Sequence, residues 1–572
     1  MTPPPSQPLE PSPRFADGPP PFVPPPREIA AGSGRPRRVP PPTQHATGPT
    51  RGGWLAALIA GAIALAVYVS GTAPTVMTGD SAELAAVGAV GGVAHPTGYP
   101  TFVLLAQLAA HTLPGDPAHR VTLMCAGAGA ASVLLFALLL AELGLTFGAV
   151  LAGALLYAGT FTLWWAAIRV EVYTPGLMLA LFALWRVFVA RRTLAPRDGL
   201  LAAFALGLAL TGHLSFAPAL ACAGLWMVAA AARGRVLTPG LLIGSLAMLA
   251  LGLSPYVTIP FFDRAHTLTN YLHQVVEPTS GMFGLSPATF DSAPERLRFL
   301  VFGAESRPHD FLHHLPTAAI NLGIAWLRIV LFDVGPGATL LAMAGAFVLR
   351  RRDDGVQTLL VTAALATSVV GALLVHEALL VVFLMAGVIA LVVLAACGLD
   401  LLARRTGAAF AVLVALGCVL GAHALRRHAD TDPIGPPYAY MPVEGPPTMQ
   451  TLFPTLRGDA PDLPGATRAR AEALFAAVPE SSFVAAKWEL VTTLIYLQAA
   501  EGMRRDVTLD AWYEPGHAVR MQRWQTSHSL VTHPVVVVDS IAGVIDRLTT
   551  PTLVRLADGT TLRIERSAVR EL

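Results

Sequence analysis

The chain is poor in charge. Asp, Glu, Lys and Arg make up 13% of its 572 residues, where ordinary soluble domains carry about 25%. Lysine is all but absent: Lys487 is the single one, and the rest of the 39 basic residues are arginine. The net charge of +2 and the lack of a basic tract leave no electrostatic footprint for nucleic acid. Cysteine is scarce as well. Cys125, Cys222, Cys397 and Cys418 sit singly in apolar stretches, without metal-like spacing or a disulfide framework, and read as small buried hydrophobes. No P-loop, no GxGxxG after a strand and no GxSxG is present, so nothing marks a nucleotide site or an α/β-hydrolase elbow.

What is abundant is hydrophobicity: 54% of residues are apolar, and mean hydropathy is +0.57. A water-soluble core cannot absorb that much apolar surface, so the composition predicts a polytopic α-helical membrane protein. Residues 1–53 hold 17 of the 47 prolines and six arginines against three acids, and read as a disordered cytoplasmic tail. Apolar runs of about 20 residues, enough to cross a bilayer, follow near 54–73, 121–141, 146–166, 172–190, 199–215, 216–232, 237–259, 334–350, 356–375, 378–397 and 407–425. Residues 316–332 read as an interfacial helix. Arginines at 191, 192 and 197, at 233 and 235, at 350–352 and at 404 and 405 fall in loops on one side, which orients that side to the cytoplasm. The expectation is eleven helices, N-terminus in and C-terminus out, with Arg426 and Arg427 as a mild violation. The Ala/Gly/Pro/Arg richness suggests a GC-rich bacterial genome, hence the bacterial inner membrane.

This topology collects the polar residues at membrane borders on the outer face: the 74–120 loop, Arg169 to Tyr173, Thr211-Gly-His213, the 260–316 loop, and His376-Glu377. Such sorting suggests one shared extracytoplasmic site. Residues 428–572 differ in kind. Short β-like runs at Ser482-Phe-Val-Ala, Val507-Thr-Leu and Val535 to Asp539 flank a helical run near 489–502, and Asp558-Gly559 marks a hairpin turn. They predict a small extracytoplasmic α/β domain.

The first outer loop carries Asp80, Glu83, His95 and Tyr99 among Ala, Gly and Val. By spacing alone, Asp-x-x-Glu at a helix start favours a capping box, Asp80 as N-cap and Glu83 reaching back. The functional alternative is a general base with a second carboxylate for an acceptor group or a metal. His95-Pro-Thr-Gly-Tyr99-Pro is a turn, and its His and Tyr taken alone suit interfacial anchors. Arg169 and Glu171 read either as an exposed ion pair or as a phosphate-binding arginine with its partner, and Arg264 has the same two readings. His213, at a helix–helix junction, reads as a satisfied structural histidine.

Asp80-Ser-Ala-Glu83-Leu, followed by His95-Pro-Thr-Gly-Tyr-Pro100, resembles the first-loop signature of a membrane family related to the eukaryotic transmembrane protein 260. Val170-Glu171-Val-Tyr173, Leu208 to Leu214, Leu253-Ser-Pro-Tyr256 through Pro260, and Ile495-Tyr-Leu-Gln498 with Arg505-Asp-Val-Thr follow in family order, so the resemblance runs from about 54 to 510. The chain departs from the pattern twice. Phe261-Phe-Asp263 intervene before Arg264, and Ala485-Ala-Lys-Trp-Glu489 stands where relatives carry Asp/Asn-rich residues.

The resemblance implies a GT-C-like transmembrane domain over 54–427 and a glycosyltransferase activity of the protein O-mannosyltransferase type. A sugar, mannose by family likeness, would pass from a polyprenyl-phosphate carrier to an extracytoplasmic hydroxyl of an exported protein or glycan. Asp80 would be the base and Glu83 its companion; His95, Tyr99, Arg169, Glu171, Tyr173, His213 and Arg264 would meet phosphate, sugar or acceptor. No cofactor or metal is required by this scheme. The competing expectation is a transporter or flippase of a lipid-linked saccharide, which eleven helices suit equally well.

Overall fold

The computed structural model describes residues 48–264, 267–277, 292–302, 311–374, 383–428, 464–511, 514–539, 541 and 544–566. The tail up to residue 47, the His376-Glu377 pair and the stretch 429–463 lie outside them.

Along the chain the membrane-region helices are α1 (Arg51–Gly71), α2 (Asp80–Val90), α3 (Pro100–Thr112), α4 (Pro117–Glu142), α5 (Phe147–Ala158), α6 (Phe161–Ala167), α7 (Tyr173–Thr193), α8 (Pro196–Leu210), α9 (Ala217–Arg233), α10 (Pro239–Gly252), α11 (Thr258–Asp263), α12 (Ala293–Val301), α13 (Phe311–Arg328), α14 (Pro336–Arg352), α15 (Asp354–Leu374), α16 (Met385–Thr406) and α17 (Ala408–His428). Local chemistry sets their starts. The Thr50 hydroxyl accepts from the Gly53 N–H at 3.1 Å ahead of α1. Proline, with no N–H to leave orphaned, opens α3, α4, α8, α10 and α14.

Among the described residues, seven helices are long and apolar enough to cross a bilayer, and three bent pairs raise that to ten. α8, with 15 residues, is shorter than a full crossing. Two of the three bends are sharp. The 146–166 run bends by 65° between α5 and α6; there Asp333 accepts from the Thr162 N–H and hydroxyl, each at 2.8 Å. The 316–332 segment meets α14 at 104° instead of extending it. The run read at 378–397 reaches further at its end: α16 continues to Thr406, past Asp400, whose charge is answered by Arg352 and Arg404, while the start of the run, before 383, lies outside the described residues.

Small residues bring backbones together where apolar side chains gain nothing over lipid. A Cβ on Gly345 of α14 would lie 1.7 Å from the Leu394 carbonyl oxygen of α16, and one on Gly398 2.3 Å from that of Leu341. One end of the bundle is closed by ion pairs: Arg192 with Glu142 at 2.9 Å, Arg186 with Asp198 at 2.7 Å, and Asp400 with Arg352 and Arg404.

Beyond the bundle lie α18 (Pro464–Ala477), β1 (Phe483–Ala486), α19 (Trp488–Glu501), β2 (Thr508–Ala511), α20 (Glu514–Ser527), β3 (Val535–Val538), β4 (Thr552–Arg555) and β5 (Thr561–Glu565). The sheet order is β2-β1-β3-β5-β4. β1 runs parallel to β2 and β3; the β4–β5 hairpin adds antiparallel pairing. β1 and β3 are buried on both faces, as parallel strands are. Their alternation serves two cores. Phe483, Ala485, Val535 and Val537 pack with Ala518 and Met521 of α20. Val484, Ala486, Val536 and Val538 join a core that includes Leu490 and Leu494 of α19 and runs on into the helix bundle. That continuity seats α19 against α2, which packs between it and α3.

Candidate active site

The site is built at the end of the bundle opposite the arginine pairs, where α1, α8 and the bent α5–α6 pair finish and α4 and α7 begin. Asp80 and Glu83 share one face of α2, as i and i+3 must. The capping box favoured by spacing does not form. Gly79, at φ 63°, is the N-cap, with no side-chain cap bond. Both carboxylates bond elsewhere. Glu83 accepts from the His95 N–H at 2.9 Å through Oε1, and its Oε2 lies 2.5 Å from His95 Nδ1. Asp80 Oδ1 accepts from the Trp488 indole N–H at 2.7 Å.

Backbone pairing positions the third wall. The Val93 N–H donates to Thr269 O at 3.1 Å and the Tyr271 N–H to Val93 O at 2.9 Å. The close approach requires Gly92, at φ 145°, where a Cβ would lie 2.4 Å from Thr269 O. Tyr271 is thereby set edge-on to His95 at 6.2 Å and to Trp488 at 6.0 Å between ring centres. A small pocket bounded by Glu83, Thr269, Tyr271, Gln274, Trp488 and Thr492 opens beside Glu83.

Tyr99 is buried, stacked on His213 at 5.3 Å, with its hydroxyl donating to Pro96 O at 2.6 Å. Burial first, and then the nearby Asp80 and Glu83, push its phenol well above the usual range, so it stays protonated. Neither Tyr99 nor His95 is merely an interfacial anchor. Tyr173 also packs against His213, tilted, at 5.1 Å between ring centres. His213 Nδ1 accepts from the Ser215 N–H at 3.1 Å. Burial, with a smaller contribution from His95, pushes its imidazole down to about 3. It is a neutral structural histidine that seats Tyr99 and Tyr173.

Arg169 and Glu171 are both buried, not an exposed pair. The guanidinium lies 4.4 Å from the centre of the Trp165 ring. Burial pushes Glu171 up to about 8; Arg169 and His95 oppose the rise and Asp80 adds to it. Near neutrality Glu171 is therefore a hydrogen-bond donor. The Ser81 hydroxyl donates to Val170 O at 2.8 Å and ties this segment to α2. Arg264 is exposed after α11 and, among the described residues, forms no hydrogen bond or ion pair with the cluster. The inward arginine of that region is Arg296, bonded to buried Asp263 at 2.6 Å.

One oxygen each of Asp80 and Glu83 and one His95 nitrogen lie within 4.8 Å of one another, atoms of kinds that ligate divalent cations. As they stand, Glu83 and His95 are bonded to each other through Oε2 and Nδ1.

Trp488, Tyr271 and Ser81 were not foreseen as site residues. Trp488 and Asp80 are 408 positions apart, a distance at which no spacing rule operates. The one available signal was the departure from family pattern at Ala485 to Glu489.

Residues 80–233 match the family described as Protein O-mannosyl-transferase TMEM260 N-terminal domain. The mouse (Mus musculus) protein O-mannosyl-transferase TMEM260 is 30% identical over 269 residues. That alignment takes in 43% of this chain and spans 37% of the mouse protein's length. Among solved structures, ArnT from Cupriavidus metallidurans bound to undecaprenyl phosphate aligns over 90% of this chain and 98% of its own, at 13% identity and a TM-score of 0.49. Its apo state aligns over the same shares at 15% identity and the same score. Over residues 80–233, the chain is similar to the protein O-mannosyl-transferase TMEM260 family.

Proposed function

We propose that the chain is a GT-C-type membrane glycosyltransferase that moves a sugar, mannose, from a polyprenyl-phosphate carrier to the hydroxyl of an exported acceptor, a protein Ser or Thr. The observation that carries this reading is Asp80. It is a carboxylate at a helix start, oriented by a hydrogen bond, beside a second acid engaged with histidine, within the segment that matches the O-mannosyl-transferase family.

Asp80 accepts the proton of the acceptor hydroxyl. The hydroxyl oxygen bonds to the anomeric carbon as the bond from that carbon to the lipid phosphate oxygen breaks, and the phosphate leaves with the electron pair. Glu83, held by His95, keeps the imidazole oriented toward the site. Arg169 and His95 supply positive charge and donors as the phosphate departs. Protonated Glu171 and the Tyr173 hydroxyl are the donors for sugar oxygens. The setting suits the donor: its prenyl tail stays among the spanning helices while its head group reaches the outer loops. The catalytic face is extracytoplasmic, opposite the arginine-rich end.

The test is transfer from radiolabelled polyprenyl-phosphate mannose in membranes, wild type beside Asp80→Asn at matched expression. Label in protein with the wild type, lowered at least about a hundredfold in the variant, is the expected result. Equal labelling would remove Asp80 from the role of base. Donor that crosses the membrane unchanged would make the protein a flippase.

A further inference from the structure

We propose that Trp488 of the C-terminal domain is a positioning residue for Asp80: its indole N–H holds one carboxylate oxygen and so aims the other at the acceptor hydroxyl. The inference rests on Asp80 being the base.

The start of α19 grips the whole approach to Asp80. The Trp488 N–H donates to Asp80 Oδ1 at 2.7 Å. One residue on, the Glu489 carbonyl accepts from the Gly79 N–H at 3.2 Å and from the Thr78 hydroxyl. One turn later the Thr493 hydroxyl donates to Met77 O at 3.0 Å. Residues 77–80 are thus each fastened to α19. The fastening continues beyond the site, since the Tyr496 hydroxyl donates to Asp116 at 3.2 Å and Arg468 pairs with Asp116 and Glu501. Gly79 makes this necessary. A glycine at φ 63° ahead of α2, without a side-chain cap, leaves the first residue of the helix weakly held by its own segment.

An indole suits the task chemically. Its N–H donates only; it neither accepts a proton nor titrates. It therefore orients a carboxylate without competing for the acceptor's proton. A hydrogen bond to a charged acceptor is among the stronger kinds. The Trp488 ring is itself supported edge-on by Tyr271, which also faces His95. One aromatic frame thus spans Asp80 on one side and the Glu83–His95 pair on the other. Among the described residues, Asp80 Oδ1 has this one hydrogen bond and Oδ2 has none, which leaves Oδ2 as the oxygen for the acceptor.

The experiment compares full-length wild type, Trp488→Phe, Trp488→Gln and Asp80→Asn for kcat and KM toward polyprenyl-phosphate mannose, with melting midpoints read alongside. Phe keeps a ring and loses the donor; Gln keeps an N–H at comparable reach and loses the ring. The expected result is a kcat lowered about ten- to a hundredfold in Trp488→Phe, the effect of one hydrogen bond to a charged group. Its KM should stay within about twofold, and Trp488→Gln should retain more kcat than Trp488→Phe. Wild-type kcat in Trp488→Phe, or a lower kcat in Trp488→Gln than in Trp488→Phe, overturns the proposal, the second by showing that ring packing is what matters. Should Trp488→Phe fail to fold, Trp488→Gln decides against the wild type: a kcat within tenfold supports the donor role, and a kcat as low as that of Asp80→Asn overturns it. If Asp80→Asn retains wild-type activity, the reading of Asp80 as base fails and this proposal falls with it. If Asp80→Asn is inactive while Trp488→Phe is normal, only the positioning role is lost.

Discussion

At one end of the bundle Asp400 is enclosed and answered twice, by Arg352 at 2.9 Å and Arg404 at 2.8 Å, and it also accepts from the Thr146 N–H and hydroxyl. At the other end Asp80, Glu83 and Glu171 gather around His95, with Arg169 as the neighbouring arginine. The first arrangement spends every acid on structure. The second keeps acids closer together than mutual repulsion favours. There burial pushes Glu171 up to about 8, the kind of perturbation that clusters where chemistry is done. The difference teaches that charge in this protein is sorted by its partners as well as by side of the membrane: at one end Asp400 meets two arginines, and at the other, among the described residues, acids gather around a histidine.

Variants that exchange the behaviour of the two ends test this comparison. The largest expected effect is on activity at the acid-rich end. Glu83→Gln leaves His95 facing an uncharged partner and should lower transfer about a hundredfold, with a melting midpoint close to wild type, read by radiolabel transfer and thermal unfolding of the same preparation. The mirror case is Asp400→Ala, which strands two arginines at the paired end. It should cost about 1–3 kcal/mol of stability, mainly because the Thr146 N–H and hydroxyl lose their acceptor while both arginines keep contact with water, visible as a lowered melting midpoint with no specific loss of kcat in the protein that remains folded.

Next come the pH dependences. Glu171 sits well above the ordinary carboxylate range when folded, so between about pH 4 and pH 8 the folded state holds a proton that the unfolded chain has released. Stability therefore falls as pH rises through that window, and Glu171→Gln should flatten the fall in melting midpoint between pH 5 and pH 8. His213 is the opposite case. Held down to about 3, it stays neutral in the fold while the unfolded chain takes up a proton below about 6.5. Stability is lost as pH falls from about 6.5 toward 3, and His213→Gln should flatten that acid limb. The smallest effect belongs to the exposed pairing of Arg470 with Asp539 and Asp558. Arg470→Ala should change stability by about 1 kcal/mol or less; a larger change would mean that the outer domain depends on its surface charge.

Much of the fold was legible along the chain. The apolar runs became helices, and Asp558-Gly559 became the turn between β4 and β5, with Gly559 at φ 88°. The motif holding the acids and the histidine was legible too, but not their bond: Glu83, near the start of α2, meets His95, twelve residues on and beyond the helix's end. Less was legible where bonding between distant segments overruled local pattern. Asp-x-x-Glu spells a capping box, yet the N-cap is Gly79, and the two carboxylates bond to His95 and Trp488 instead. Arg169 and Glu171 look like a surface pair in sequence and are buried by the packing of α4 and α7 around them.

By itself, then, the sequence determined that the chain crosses a membrane, which end of the bundle carries arginine, and which short motif carries acids and histidine. These follow from composition and from periodicity over a few turns, properties a local segment owns. Only the tertiary structure decided that Glu171 is held protonated by burial, that His213 packs against two tyrosines, that Arg264 stays out of the cluster, and that Asp80 is held by a tryptophan 408 residues away. Each of these depends on which groups are excluded from water together, and that is a property of the assembled fold, not of any stretch within it.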